Sequence, residues 1–151
     1  MRTFEKISDL QPLVGQELGV SDWMTVTREQ INKFAEATGD HQWIHVDVER
    51  AKAGPFGGPI AHGYLTLSLV IPFFSEMLQV DGIKMGVNYG LDKVRFPTPV
   101  RVGSKIRLAA TADTVEVVAT RCVQMSLTFT VQIDGIDKPA CVARPIYRYY
   151  A

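Results

Sequence analysis

The sequence predicts an α+β fold in which an antiparallel sheet wraps around one apolar helix. Three observations lead there. In the segment 123–133, Val123, Met125, Leu127, Phe129, Val131 and Ile133 alternate with Gln124, Ser126, Thr128, Thr130 and Gln132, the period-2 pattern of a long strand with one buried face. The segment Ala61–Ile71 is apolar nearly all round, so as a helix it is surrounded by protein. The chain beyond that helix then reads as consecutive strands, and one helix followed by strands is an α+β pattern.

The elements follow in order. Ser8-Asp9-Leu10-Gln11 starts a short helix, and Gln16 to Val26 reads as a strand. Thr27 is a helix cap with Gln30 three residues on, the spacing of a capping box. Ile31, Phe34, Ala35 and Thr38 share one face, and Gly39 supplies a stop. The helix therefore runs from about Arg28 to Thr38 and delivers Asp40 just past its end. From Asp40 to His62 the pattern is irregular, because the glycines and prolines of 53–59 break both periods. Loops of that length in a compact domain are usually functional. Pro72 should kink or restart the apolar helix before Phe73–Leu78. Strands are expected over Val87–Phe96, with a bulge at Gly90, and over Ile106–Ala112 and Val115–Thr120. After the 123–133 strand, Asp134-Gly135 turns the chain into a last strand, Ala140–Tyr147.

Composition bounds the function. The chain has 151 residues, 46% hydrophobic and 21% charged, an ordinary globular balance rather than a disordered one. That length supports a single domain over residues 1–151, burying roughly 70% of the unfolded surface. Sixteen basic residues balance sixteen acidic ones, which argues against a nucleic-acid partner and permits self-association. Cys122 and Cys141 form no CxxC pattern, so neither a disulfide scaffold nor a zinc–thiolate site is expected and a reducing cytoplasm fits. The first residues lack the apolar core of a signal peptide. The most apolar stretch, Ile60–Val80, is interrupted by His62, Pro72, Ser75 and Glu76 and falls short of the ~18 apolar residues of a membrane span.

Asp40 and His45 are the first candidates for chemistry. Five residues apart, they converge only where the chain bends, which Gly39 and the irregular segment allow. A carboxylate and an imidazole meeting in a cleft form a general acid/base pair for water chemistry. The plainer alternative is a turn aspartate and a histidine in an ordinary polar contact. His41 and His45 have the i, i+4 spacing of a zinc-protease helix, but Gln42 stands where that motif needs its glutamate. Asp47 and His62 are the candidates for a third ligand, and no metal site is expected. A GxSxG elbow, a P-loop and a dinucleotide-binding glycine triplet are all missing. Lys93, Arg95, Arg101, Lys105 and Arg107 make the strand region locally basic, as solvated strand faces or as a rim for an anionic ligand. Gly63 opens the apolar helix, either as a packing glycine or as an amide that holds a developing oxyanion.

The stretch Ala37-Thr38-Gly39-Asp40-His41-Gln42-Trp43-Ile44-His45 resembles the active-site signature of the MaoC-like dehydratases, the (R)-specific enoyl-CoA hydratases of the hot-dog fold; that signature runs Gly-Asp-x-Asn-Pro-aliphatic-His, and Gly39, Asp40, Ile44 and His45 match it. Gly58-Pro59-Ile60-Ala61-His62-Gly63-Tyr64 is similar to the family's entry into its central helix. Val94-Arg95-Phe96-Pro97-Thr98-Pro99-Val100-Arg101-Val102-Gly103 is similar to the strand and turn after that helix. The resemblance spans roughly Thr27 to Ile133, and three motifs in order are far more specific than any one.

The resemblance implies a homodimer with an acyl tunnel at or near its interface. It implies reversible hydration of trans-2-enoyl thioesters to (R)-3-hydroxyacyl thioesters. Asp40 and His45 would be catalytic and Gly63 would supply the oxyanion amide. Trp43 and Tyr64 would shape the substrate site, and Lys93 and Arg95 would meet the phosphates of coenzyme A or of an acyl-carrier phosphopantetheine. No metal or redox cofactor is called for, because the thioester itself acidifies the α position. Gln42-Trp43 departs from the family's Asn-Pro, and Ile71 stands where better-studied hydratases carry a serine, with Ser68 a turn away. Two other functions remain on this fold: an acyl-CoA thioesterase, and a non-catalytic acyl-thioester-binding subunit.

Overall fold

The computed structural model describes residues 1–151. Its main sheet has six strands. In chain order these are β2 (Glu17–Val20), β3 (Met24–Thr25), β5 (Met85–Arg95), β6 (Lys105–Ala119), β7 (Cys122–Ile133) and β8 (Ile136–Tyr150). The lateral order is β2-β6-β7-β8-β5, with β3 beside β2 on β6, and every pairing is antiparallel. A separate parallel pair joins β1 (Arg2–Phe4) to β4 (Leu78–Val80). A 3-10 helix covers Ile7–Leu13, where the short helix was expected, and packs Leu10 and Leu13 into the core.

The alternation in β7 places Val123, Met125, Leu127, Phe129, Val131 and Ile133 inward, all at most 3% exposed. Opposite them lie Ile106, Leu108 and Ala110 of β6 and Cys141, Ala143 and Tyr147 of β8. Over this face runs the apolar helix as two short pieces, α4 (Gly63–Ser68) and α5 (Val70–Ser75), which bury Leu65, Val70, Phe73 and Phe74. The break falls at Leu69, not at Pro72. Proline at 72 has no N–H for the carbonyl of Ser68, and its ring crowds that carbonyl, so the disruption appears one turn earlier.

α1 (Arg28–Thr38) has the expected bounds because both ends are set locally. Thr27 accepts from the Gln30 amide at 3.2 Å while Gln30 Oε1 accepts from the Thr27 amide at 2.9 Å, and Gly39 closes the helix at φ 77°. Thr27→Ala removes one half of that box, and a loss of about 1 kcal/mol is expected in a denaturant melt.

Several expectations are corrected. The strand expected over 16–26 is split into β2 and β3. Ser21 Oγ takes the Leu108 N–H at 2.9 Å, so a side chain replaces the ladder partner and the strand bends. The two strands expected over 106–120 are one, β6, continuous through a bulge between Ala112 and Thr114. There Asp113 accepts from Thr128 Oγ1 across the sheet at 2.8 Å. Gly90 does sit at a register shift of β5. The segment Asp40–His62, expected to be irregular, contains α2 (Trp43–Val46) and α3 (Val48–Lys52), the latter capped by Asp47. The apolar helix is not covered all round: Tyr64 is 72% and Ile71 41% exposed, because the sheet wraps one side and ends at the edge strand β5. No helix is long and apolar enough to cross a membrane.

Candidate active site

Gly39 ends α1 and Asp40 follows at once. The Asp40 carboxylate accepts from the backbone N–H of Gln42 at 3.3 Å, an Asx-type turn that aims the chain into α2. α2 is one turn long, and its own backbone could not hold it. Four hydrogen bonds from two distant residues do so. Arg28, the first residue of α1, donates through its two guanidinium nitrogens to the carbonyls of His45 and Val46. Ile60 donates its N–H to the Ile44 carbonyl at 3.0 Å, and the Ile60 carbonyl accepts from His45 Nδ1–H at 2.7 Å. Ile60 is itself pinned between Pro59 and Ala61, which bond to Val102 and Val100. The overhang is thus tied to both α1 and the segment after β5.

This bracing brings together residues far apart in sequence. Side-chain ligand atoms of Asp40, His45 and His62 all lie within 4.8 Å of one another. His45 and His62 are buried, whereas the Asp40 side chain is half exposed. The two imidazoles stack with centroids 3.8 Å apart and planes inclined by 25°. Because His45 Nδ1 donates to a carbonyl, its Nε2 carries the free lone pair. Burial lowers the His45 pKa below its ordinary 6.5. The hydrogen bond to Ile60 opposes that shift, His62 adds to it, and Asp40 opposes it. The result is an imidazole held more readily in its uncharged form, with a free lone pair, next to the Asp40 carboxylate.

Such a trio invites the question of a metal. His45 has spent Nδ1 on Ile60 and His62 has spent Nε2 on the Asp40 carbonyl, while His62 Nδ1 is sealed from solvent. That leaves the Asp40 carboxylate and one nitrogen open, fewer donors than a metal site requires. His41 does not join the group.

Gly63 is the first residue of α4. Its N–H has neither a backbone nor a side-chain partner. It lines a cavity of about 360 Å³ with Phe56, Ile60, Thr66, Phe96 and Pro97. A second apolar cavity, of about 240 Å³, lies further along the helix between Leu67, Ile71, Leu91 and Tyr147.

The remaining candidates are dispersed. Trp43, expected at the substrate, packs against Gly54 with Arg50 stacked over its ring at 4.5 Å, and it lines neither cavity beside the helix. Tyr64 is exposed, edge-on to Phe96. Lys93 and Arg95 are exposed on β5, and Arg95 bonds its own neighbour's carbonyl, that of Val94. Ser68 Oγ is spent on the Tyr64 carbonyl at 2.7 Å. Sequence reasoning missed Arg28, for which no local pattern exists. It also missed the place of His62, whose only signal was a histidine next to the helix-opening glycine.

A sheet curled around one helix, with an overhang that carries a carboxylate and an imidazole to a common point, defines a hot-dog protein of the dehydratase type. The sequence profile of the MaoC like domain matches residues 9–133. Over all 151 residues the chain is 53% identical to 3-hydroxyacyl-thioester dehydratase Z of Mycobacterium tuberculosis (strain ATCC 25618 / H37Rv), covering 100% of both. It is 46% identical over 139 residues to Nodulation protein N of Rhizobium meliloti (strain 1021), with 91% of this chain and 86% of that protein covered. In fold it is similar to the (R)-hydratase from A. caviae involved in PHA biosynthesis, with a TM-score of 0.72 at 22% identity, covering 89% and 94% of the two chains. The chain belongs to the MaoC-like dehydratases, hydro-lyases of the hot-dog fold.

Proposed function

We propose that this dehydratase is an (R)-specific enoyl-thioester hydratase, adding water reversibly and syn to trans-2-enoyl thioesters. The observation that carries the proposal is the meeting of the Asp40 carboxylate with His45, whose Nδ1–H is fixed and whose Nε2 is bare. Asp40 orients a water and His45 Nε2 takes its proton as the oxygen bonds to C3. The C2–C3 π electrons move towards the thioester, whose oxygen becomes an enolate oxyanion. The free Gly63 amide donates to that oxygen, a contact that grows stronger as charge develops. The proton on His45 then returns to C2 on the same face, which accounts for syn addition and restores the base. The cavities beside the helix offer an apolar path for the acyl chain.

Gln42 departs from the family's Asn, yet what grips Asp40 at this position is the main-chain N–H, which any residue but proline supplies. This favours catalysis over a merely binding subunit. The substrate would be a coenzyme A or acyl-carrier thioester, with the exposed Lys93 and Arg95 meeting its phosphates. The whole chain acts as one domain in this scheme, within a reducing cytoplasm that keeps Cys122 and Cys141 free. The reading as a homodimer is supported by β5, a long edge strand that exposes Met85, Tyr89 and Leu91 beside the uncovered Ile71. Such an edge invites pairing.

Purified protein is expected to consume crotonyl-CoA, read as loss of enoyl absorbance, with (R)-3-hydroxybutyryl-CoA as product and no thiol released. Thiol release would identify a thioesterase instead. The acid limb of kcat/KM should fall below pH 6.5, because the reaction needs unprotonated His45 and burial lowers its pKa. The same depression makes the unfolded chain bind the proton first, so this residue's contribution to stability also declines as pH drops below 6.5. A limb midpoint above 6.5 would exclude His45 as the base.

A further inference from the structure

We propose that His62 is the positioning residue of this site, a buried imidazole that lies against the base and holds the carboxylate loop in place by a hydrogen bond. The inference rests on the Asp40–His45 mechanism and extends it to a residue that neither the reacting water nor the substrate touches.

His62 is 2% exposed and wedged between Phe34, at 4.9 Å between ring centroids, and His45, at 3.8 Å. Its Nε2–H donates to the backbone carbonyl of Asp40 at 3.0 Å, and the same nitrogen stands 4.0 Å from Asp40 Oδ2. One ring thus touches both working residues, one through its face and the other through its edge. Its own backbone carbonyl accepts from the Thr66 amide of α4, and Gly63 follows it in the chain. Carboxylate, base and oxyanion amide are therefore all referenced to this single rigid group.

The second nitrogen makes the case specific. His62 Nδ1 is buried with no hydrogen-bond partner. A buried acceptor without a donor costs stability, and phenylalanine or methionine would fill the same space without that cost. The feature gained in return is the Nε2–H donated to Asp40. The backbone at Asp40 needs that anchor. It follows a helix stop, and apart from its Asx turn its hold is a long 3.4 Å contact from its own amide to Thr38 Oγ1.

Three substitutions and one spectroscopic measurement test this on the full-length protein. In His62→Gln the side-chain amide reaches the Nε2 position and keeps the donor. His62→Phe keeps a ring on His45 without the donor, and His62→Asn has a donor that falls short. The expected result is that His62→Gln retains kcat for crotonyl-CoA within a few-fold. His62→Phe and His62→Asn should lose about 10- to 100-fold in kcat with KM little changed, the cost of misplacing a reacting group by a fraction of an ångström. A His62→Phe protein that melts like the parent and turns over at the parental rate would overturn the proposal. Should these variants fail to fold, the parent protein still decides it. Nitrogen-15 NMR should find His62 protonated on Nε2 and His45 protonated on Nδ1, and a proton on His62 Nδ1 with Nε2 bare would overturn it. A folded parent that hydrates no enoyl thioester defeats the functional reading instead, and the tautomer measurement remains valid in that case.

Discussion

Asp40→Asn and His45→Gln are each expected to lower kcat for enoyl-thioester hydration by about 10²- to 10⁴-fold, the range for removing a general acid or base. The two should differ in stability, and that difference separates chemistry from folding. Asp40 is half exposed and its structural bond is to the Gln42 amide. Asparagine still accepts that bond, so the Asp40→Asn protein should melt like the parent while losing turnover. His45 is buried and bonds the Ile60 carbonyl at 2.7 Å. Glutamine offers no basic nitrogen and places its amide differently, so about 1–3 kcal/mol of stability should go with the activity. A steady-state assay with crotonyl-CoA beside a thermal melt checks both. Turnover by a folded Asp40→Asn protein at the parental rate would remove Asp40 from the mechanism.

The two catalytic candidates were legible from spacing and motif, but their convergence was not. A carboxylate and an imidazole five residues apart meet only because α2 makes a single turn between them. That turn is held by Arg28, seventeen residues upstream of His45, and by Ile60, fifteen residues downstream. Contacts of that range leave no periodic trace. The same logic separates the elements foreseen from those revised. α1 and β7 are set by local signals, a capping box with a left-handed glycine in one case and strict alternation in the other. The split between β2 and β3 depends on one Ser21 hydroxyl reaching Leu108, 87 residues away. Trp43, which the resemblance implies at the substrate site, packs against Gly54 with Arg50 over its ring, neighbours set by tertiary packing that leave no local trace.

Gly63→Ala should have the second-largest effect on rate. Two physical causes act together. A β-carbon at this position would lie 3.0 Å from Cδ2 and 3.1 Å from Cγ of Phe96, closer than carbon atoms pack. Phe96 and Gly63 line the same 360 Å³ cavity, so the ring must tilt into space that the acyl thioester needs. Alanine keeps the N–H assigned to the oxyanion, but the displaced ring alters the approach of the thioester oxygen to it. Where the oxygen no longer reaches that N–H, the cost approaches that of a missing oxyanion donor, roughly 3–4 kcal/mol of barrier or about 10²- to 10³-fold in kcat. Crowding of the cavity and loss of access to the donor are separable. In Gly63→Ala/Phe96→Leu the smaller, flexible side chain relieves the contact. If crowding of the ring alone is responsible, the double variant recovers the parental rate. If the amide serves the oxyanion, KM returns towards the parental value while kcat stays low. The backbone at Gly63 has no need of a positive φ, so alanine is tolerated conformationally and the measured loss belongs to the site rather than to the fold.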